Sequence, residues 1–272
     1  MRFGRRSRPR WRFAPPSTLL TLGRAAALLV LAIYLGVYYV VAESLPSIGL
    51  WWQVAVISLL VIPPVFALVY FALPLRTWKW LLPAGVGVAI LAAVLQIVGL
   101  DVLANFAKLG AVTLLAWWFL SFFETAAWVT VVALIVPWVD AASVWRGPTK
   151  HIVTQQPQLF TTFSFAFPVP GERDTAQLGL PDLLFFALFL GAADRWGLRV
   201  RLTWLAMALS FGATLAISVA WPKLFPHHEI HGLPALPLLA FGFLAPNADL
   251  LWRKLRSEDA WGSLRSGRSE TN

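Results

Sequence analysis

The sequence predicts an all-α polytopic membrane protein, built as a bundle of about eight transmembrane helices. Three observations lead to this prediction. Of the 272 residues, 58% are hydrophobic and only 13% are charged. Apolar runs repeatedly approach the length of about 20 residues that a helix needs to cross a bilayer. Lys and Arg residues are concentrated in the tails and in the short connections between these runs, as in helical membrane proteins.

The predicted spans are separated by turn residues and by charged connections. Residues 1–17 are rich in Arg, and we interpret them as a cytoplasmic tail before the first span. Pro46, Pro74 and Gly99 mark turns between the early spans, because Pro and Gly interrupt helices. The predicted spans, in chain order, cover residues 18–42, 50–73, 80–99, 102–122, 124–145, 178–195, 202–221 and 232–252.

These spans divide the chain into two parts. Residues 18–122 hold four N-terminal helices, and residues 123–252 hold the candidate functional part, including a long connection at 146–178. Residues 253–272 form a polar C-terminal tail. An even number of spans puts both termini on one side, and most of the 22 Lys and Arg residues fall on that side. We therefore expect cytoplasmic termini and, since no organelle signal is recognised, a prokaryotic plasma membrane.

Composition also excludes several kinds of site. The chain has no Cys, which excludes disulfides, thiolate metal sites and a cysteine nucleophile. The net charge of +9 comes from residues at span boundaries, which favours a role in membrane topology over nucleic-acid binding. The segment from His227 to His231 reads His-His-Glu-Ile-His and lacks the spacing of a zinc-binding HExxH helix. We predict no metal, no organic cofactor and no nucleic-acid partner.

Two acidic residues, Asp140 and Asp182, lie inside apolar segments. A carboxylate within a bilayer costs about 2.5–3.5 kcal/mol, so a pair of them indicates a function. Asp140 lies just before the outer end of the fifth predicted span, and Asp182 lies just after the outer start of the sixth. Two carboxyl groups held close in a low dielectric share one proton, so one is a base toward water and the other an acid. The pair predicts aspartic-protease chemistry.

Three segments around these aspartates resemble one known family. The first runs from Glu124 through Val-Asp140-Ala-Ala-Ser-Val to Gly147-Pro148, and the second is Gln177-Leu-Gly-Leu-Pro-Asp182-Leu-Leu-Phe-Phe. The third is Pro234-Ala-Leu. In this order and rough spacing, over about residues 120–250, they are similar to the presenilin and signal peptide peptidase intramembrane aspartyl proteases.

The resemblance implies a presenilin-like helical bundle that hydrolyses transmembrane peptide or protein substrates within the lipid bilayer, without a cofactor. Asp140 and Asp182 would be the catalytic residues. The residues implied to contact substrate are Gly179, Leu180, Pro181, Pro234, Ala235 and Leu236. The family commonly has nine helices, which makes nine possible here, and a count of eight suggests that one N-terminal helix is missing. Oligomeric state is not predicted.

Two further features bear on how a substrate would be held. Pro234 and Pro237 lack backbone N–H groups and should interrupt the last helix, which leaves carbonyl groups free. The stretch from Phe160 to Phe167 alternates between aromatic and small or polar residues, which predicts a strand that could pair with an extended substrate.

Two other functions fit parts of the same pattern. The family usually has Tyr and Gly where this chain has Val139 and Pro181, which motivates a catalytically silent scaffold or chaperone that binds membrane segments. Lys108 and the acidic residues motivate a proton-coupled transporter. The two halves of the chain have no recognisable repeat, which disfavours the transporter.

Overall fold

The structure, a computed structural model, describes residues 21–146, 162–224 and 234–256. It is mostly helical, as predicted. Its helices are α1 Leu22–Val41, α2 over residues 50–77, α3 Leu81–Ile97, α4 Asp101–Leu120, α5 Ala126–Arg146, α6 Leu180–Arg195, α7 Val200–Leu224 and α8, which is Leu236–Leu244 with a continuation to residue 256. A two-stranded antiparallel hairpin, β1 Ser164–Pro168 and β2 Thr175–Gly179, precedes α6.

Among the described residues, five helical segments are long and apolar enough to cross a membrane. They are Leu22–Ser44, Leu50–Thr77, Asp101–Leu120, Ala126–Ser143 and Val200–Trp221. Helix α3 is apolar but shorter. These apolar helices agree with the membrane protein that composition predicts. The helices begin and end within a few residues of the predicted boundaries.

Helix α2 is irregular because of its two consecutive prolines. It changes from α-helix to π-helix over Ile57–Val61 and back to α-helix at Ile62, just before Pro63 and Pro64. A proline has no N–H for the carbonyl four residues earlier, so Pro64 leaves the Leu60 carbonyl without its helical donor. The hydroxyl of Tyr34 on α1 donates to that carbonyl at 3.0 Å. This hydrogen bond, made possible by the irregular turn, links α1 to α2.

Two glycines end helices with the same backbone motif. Gly99 follows α3 with φ of 80°, and Gly197 follows α6 with φ of 61°, both in the left-handed region that favours glycine. After α3, the Leu100 N–H bonds the Leu95 carbonyl at 2.9 Å, and the Gly99 N–H bonds the Gln96 carbonyl at 3.2 Å. This is a Schellman motif, and it turns the chain directly from α3 into α4.

Helix α6 lies at the centre of the bundle, and every residue from 186 to 193 is buried. It packs most extensively on α4, where the Trp117 indole N–H donates to the Ala187 carbonyl at 3.1 Å. Gly191 makes room for that indole, since a Cβ there would lie 2.8 Å from Trp117 Cδ1. On its other sides Phe186 stacks on Phe66 of α2, with ring centroids 4.1 Å apart. The helix that carries Asp182 is thus fixed on several sides.

The hairpin is anchored over the connection between α1 and α2. Gly171, in the turn of the hairpin, donates its N–H to the Ala42 carbonyl at 2.9 Å. Its φ is 74°, and a Cβ there would lie 2.5 Å from the Cα of Ser47, so only glycine fits. Phe165 and Phe167 of β1 are buried in the core. The hairpin is therefore held in place where β2 leads into α6.

Candidate functional site

Asp182 is positioned by the way α6 begins. Gly179 is the N-cap residue, and Asp182 is the third residue of the helix. The Asp182 carboxylate accepts a hydrogen bond from the backbone N–H of Gly179. A side chain at the third helical position that bonds back to the N-cap N–H is one half of a capping box. The carboxyl group is thereby held at the first turn of α6, where β2 ends.

Pro181 is accommodated in this first turn. It is the second residue of α6, where a missing N–H costs nothing because the first N–H groups of a helix have no intrahelical partner. Gly179 has φ of −59°, so it does not need the left-handed region. Its small size matters instead, because a Cβ there would lie 3.3 Å from Asp182 Oδ2.

Asp140 caps the start of the last helix from across the bundle. Its Oδ2 accepts the backbone N–H of Leu236, the first residue of α8, at 3.1 Å. The α8 N-cap, Ala235, has no side chain able to do this, and Pro237 contributes no N–H. A carboxylate at a helix N-terminus is stabilised by the free N–H groups and the helix dipole. The Pro-Ala-Leu segment therefore binds Asp140 through its main chain.

The two aspartates are brought together by three segments distant in sequence. Their carboxyl groups are close enough to interact electrostatically, and both residues are partly buried. Helix α5, which carries Asp140, packs mainly on α8 and also contacts α6. The arrangement is a pair of neighbouring carboxyl groups, each held by one backbone N–H at a helix start. Such a pair can share a proton and act as acid and base.

The other residues that the resemblance implied lie around this pair. Leu180 donates its N–H to the Phe163 carbonyl at 3.0 Å and so extends the hairpin pairing by one step. Ala235 and Leu236 are buried, whereas Pro234 is partly exposed. The two departures from the family, Val139 and Pro181, are both exposed, so neither side chain packs into the core beside the aspartates.

The expectation that the strand around residues 160–167 would receive an extended partner needs correction. Its described part, β1, pairs with β2 on one side. On its other side, its main chain bonds side chains of α1 and α4 through Tyr38, Tyr39, Asn105 and Lys108. Phe160 and Thr161 lie outside the described residues. The hairpin has a second edge, formed by the side of β2 that faces away from β1.

The side chains that hold β1 were not identified from the sequence as part of the site. Lys108 Nζ donates to the Ser164 carbonyl at 3.4 Å. Asn105 lies three residues before Lys108 on the same face of an otherwise apolar helix. That spacing of two polar residues in an apolar span is the signal that indicates their joint role.

No metal centre is found in residues 21–146, 162–224 and 234–256, where no three His, Cys, Asp or Glu side chains are grouped to hold an ion. The segment His227 to His231 lies outside these residues. Comparison with protein families, with curated proteins and with solved structures finds no match to this chain.

Proposed function

We propose that this chain is an intramembrane aspartyl endopeptidase that hydrolyses peptide bonds in transmembrane segments. The observation that carries the proposal is the convergence of Asp140, Asp182 and the Leu236 N–H, from three helices, on one place. The segments that converge are those that resemble the presenilin and signal peptide peptidase family. A purely structural pair of aspartates would not need the same three segments in the same order.

The proposed reaction uses water and the two carboxyl groups. The carboxylate takes a proton from water as the water oxygen bonds to the carbonyl carbon of the scissile peptide, and the protonated carboxyl gives its proton to the carbonyl oxygen. The resulting gem-diol then returns a proton to the second carboxylate. The C–N bond breaks as the first carboxyl protonates the leaving nitrogen, which restores the pair with one shared proton.

In the described part of the chain, no strand pairs with the edge of β2 that faces away from β1, and this edge supports binding of an extended substrate. In the observed register, Ala166 is opposite Gln177, and the main chain of Ala166 bonds Asn105 rather than β2. By the alternation of antiparallel pairing, the main-chain groups of Thr175 and Gln177 also face away from β1, whereas the Gly179 N–H bonds Asp182. A substrate strand added there would run toward Asp182, three residues after Gly179. A helical peptide bond must be unwound before hydrolysis, and strand addition stabilises the unwound form.

An apolar cavity of about 470 Å³ supports access for a transmembrane segment. It lies between α1, α2 and α4, and its lining includes Gly36, Val69, Phe106 and Leu109. Phe106 also contacts Phe165 of β1, with ring centroids 6.2 Å apart, so one lining residue of the cavity packs against the hairpin. We propose that side chains of the helical part of a substrate occupy it.

The proposed topology includes the shorter helices. Helices α3, α6 and α8 would cross together with the five long segments, giving eight spans with both termini cytoplasmic in a prokaryotic plasma membrane. Helix α6 has 16 residues, a length of about 24 Å at 1.5 Å per residue, and the hairpin covers its outer end. With α5 running outward, the orientation is that of signal peptide peptidases. The preferred substrate would have its amino end in the cytoplasm.

The test is cleavage of labelled transmembrane peptides by the purified protein in bilayers, with products identified by mass. Peptides are inserted in both orientations and assayed between mildly acidic and neutral pH. We expect cleavage within the apolar segment, preferentially with the amino end on the cytoplasmic side. Cleavage of the opposite orientation alone would contradict the topology. Specific peptide binding without any cleavage would instead indicate the silent scaffold, and flux driven by a pH gradient would indicate the transporter.

Gly179→Ala tests the spacing beside the second aspartate. Its Cβ would press on Asp182 Oδ2 at 3.3 Å and move the carboxyl by a few tenths of an ångström. We expect the initial cleavage rate to fall about three- to tenfold, because catalysis is sensitive to sub-ångström displacement. The matched control is Gly87→Ala on α3, where an added Cβ meets nothing within 4 Å. Equal rates for both variants would contradict close positioning of Asp182.

A further inference from the structure

The main-chain groups of β1 that face away from β2 form hydrogen bonds with side chains instead of with a third strand. The Asn105 amide bonds both main-chain groups of Ala166, with its Nδ2 2.8 Å from the carbonyl oxygen and its Oδ1 2.9 Å from the nitrogen. A side-chain amide has one donor and one acceptor in the geometry of a peptide unit. Asn105 thus occupies the place that a residue of a neighbouring strand would take.

Neighbouring side chains also bond carbonyl groups of this edge, including that of Ala166. Tyr39 Oη donates to the Ala166 carbonyl at 2.7 Å, and Tyr38 Oη donates to the Pro168 carbonyl at 2.8 Å. Lys108 Nζ donates to the Ser164 carbonyl. Pro168 itself has no N–H to offer. An unpaired strand edge is a template for pairing with another chain, and this one is blocked along its length.

We propose that Asn105 is a positioning residue that closes the β1 edge, so that an extended membrane segment can add only to β2. The inference rests on the proposed function, because it concerns the strand that leads a substrate to Asp182. Asn105 is 94% buried by its neighbours, with only 6% of its surface exposed, and its amide acts on the hairpin without touching either aspartate. Its effect is on which edge and which register a bound segment takes.

Asn105→Leu removes both bonds to Ala166 at nearly constant volume. The Ala166 carbonyl keeps its bond from Tyr39, but the freed Ala166 N–H would then compete with β2 for an extended segment. We expect a lower cleavage rate and, more specifically, a wider distribution of cleavage positions in the product masses. The control is Thr214→Val on α7, a buried hydroxyl that bonds the Ser210 carbonyl within its own helix. Thr214→Val should leave the product distribution unchanged.

Cross-linking reports the edge without requiring catalysis. The chain has no Cys, so Gln177→Cys and Ala166→Cys can each be made singly, and these two residues are opposite each other in the register. Neighbouring strands are about 4.8 Å apart and the next strand is about 10 Å away, so a disulfide with a bound peptide forms only to the adjacent strand. Asp182→Asn is added to keep the peptide intact.

We expect a transmembrane peptide carrying one Cys to cross-link to Gln177→Cys and not to Ala166→Cys. Adding Asn105→Leu should raise the Ala166→Cys product about five- to thirtyfold, the factor that corresponds to one or two lost hydrogen bonds. Cross-linking to Ala166→Cys with Asn105 intact, or a pattern that Asn105→Leu leaves unchanged, overturns the proposal. So does the absence of cross-links when the wild type cleaves. Cross-linking at Gln177→Cys without cleavage by the wild type supports the edge assignment and rejects the protease.

Discussion

Asp140→Asn and Asp182→Asn are each expected to lower the rate of cleavage of a transmembrane peptide by about 10²–10⁴-fold, the range that general acid–base groups contribute. These two substitutions distinguish catalysis from folding because each preserves the local structure. An Asn at 140 still has an oxygen to accept the Leu236 N–H, and an Asn at 182 still has one for the Gly179 N–H. What is lost is the ability to exchange a proton, so the rate change reports chemistry and not folding.

The double variant should be no slower than the slower single variant, because residues that act as one unit are not additive in their effects on rate. The matched control is Asp194→Asn at the other end of α6. Asp194 pairs with Arg76 at 2.8 Å and has a partly exposed side chain. The control should change the rate by less than about fivefold, as expected for an ion pair worth about 0–1 kcal/mol. Retention of a tenth of the wild-type rate by either dyad variant would reject the dyad.

The pattern of apolar runs, charged connections and turn residues predicts the helices and the pairing of the aspartates. Apolar runs and the charged residues that separate them locate each helix within a few residues. Gly99 and Pro74 act locally, through the left-handed turn and the missing N–H, so their effect can be read without knowing the fold. The prediction that Asp140 and Asp182 share a depth follows from helix direction alone.

The detailed geometry of the site depends on contacts that no local pattern encodes. The partner of Asp140 is the main chain of Leu236, and a backbone N–H has no sequence signature. The strand Thr175–Gly179 contains Ala and Gly, which have low strand propensity, and it is held by pairing with β1. The edge of β1 that faces away from β2 is bonded by Asn105, a residue of α4 far from β1 in sequence. These features arise from tertiary packing and could not be predicted residue by residue.

Asn247→Leu is expected to have the largest effect on stability and to lower the free energy of unfolding by about 2–4 kcal/mol. Asn247 is fully buried in the 3-10 turn that interrupts α8. Its Nδ2 donates to Thr203 Oγ1 at 2.6 Å and to the Phe243 carbonyl at 2.8 Å, and its Oδ1 accepts the Arg199 N–H at 2.9 Å. Leu keeps the volume but removes all three hydrogen bonds and leaves the buried Thr203 hydroxyl without this partner.

The measurement is unfolding in mixed micelles with increasing denaturing detergent, followed by the fluorescence of the 15 Trp residues. A double-mutant cycle with Thr203→Val separates the lost hydrogen bond from the unpaired group. Combining Thr203→Val with Asn247→Leu removes the orphaned hydroxyl, so the double variant should lose less stability than the sum of the two single variants. Strict additivity would mean that the two side chains do not interact in the folded protein.

Asn247→Leu and Asp182→Asn should therefore differ in their effects on stability and on the cleavage rate. Helix α8 begins at Leu236, whose N–H bonds Asp140, and Asn247 fixes the same helix against the start of α7. Asn247→Leu is expected to lower both the free energy of unfolding and the cleavage rate, because a loosened α8 no longer holds its first N–H on Asp140. Asp182→Asn should lower the rate alone. If both variants lowered stability equally, the aspartates would be structural hydrogen-bonding groups of the bundle, and the proposed protease would lose its main support.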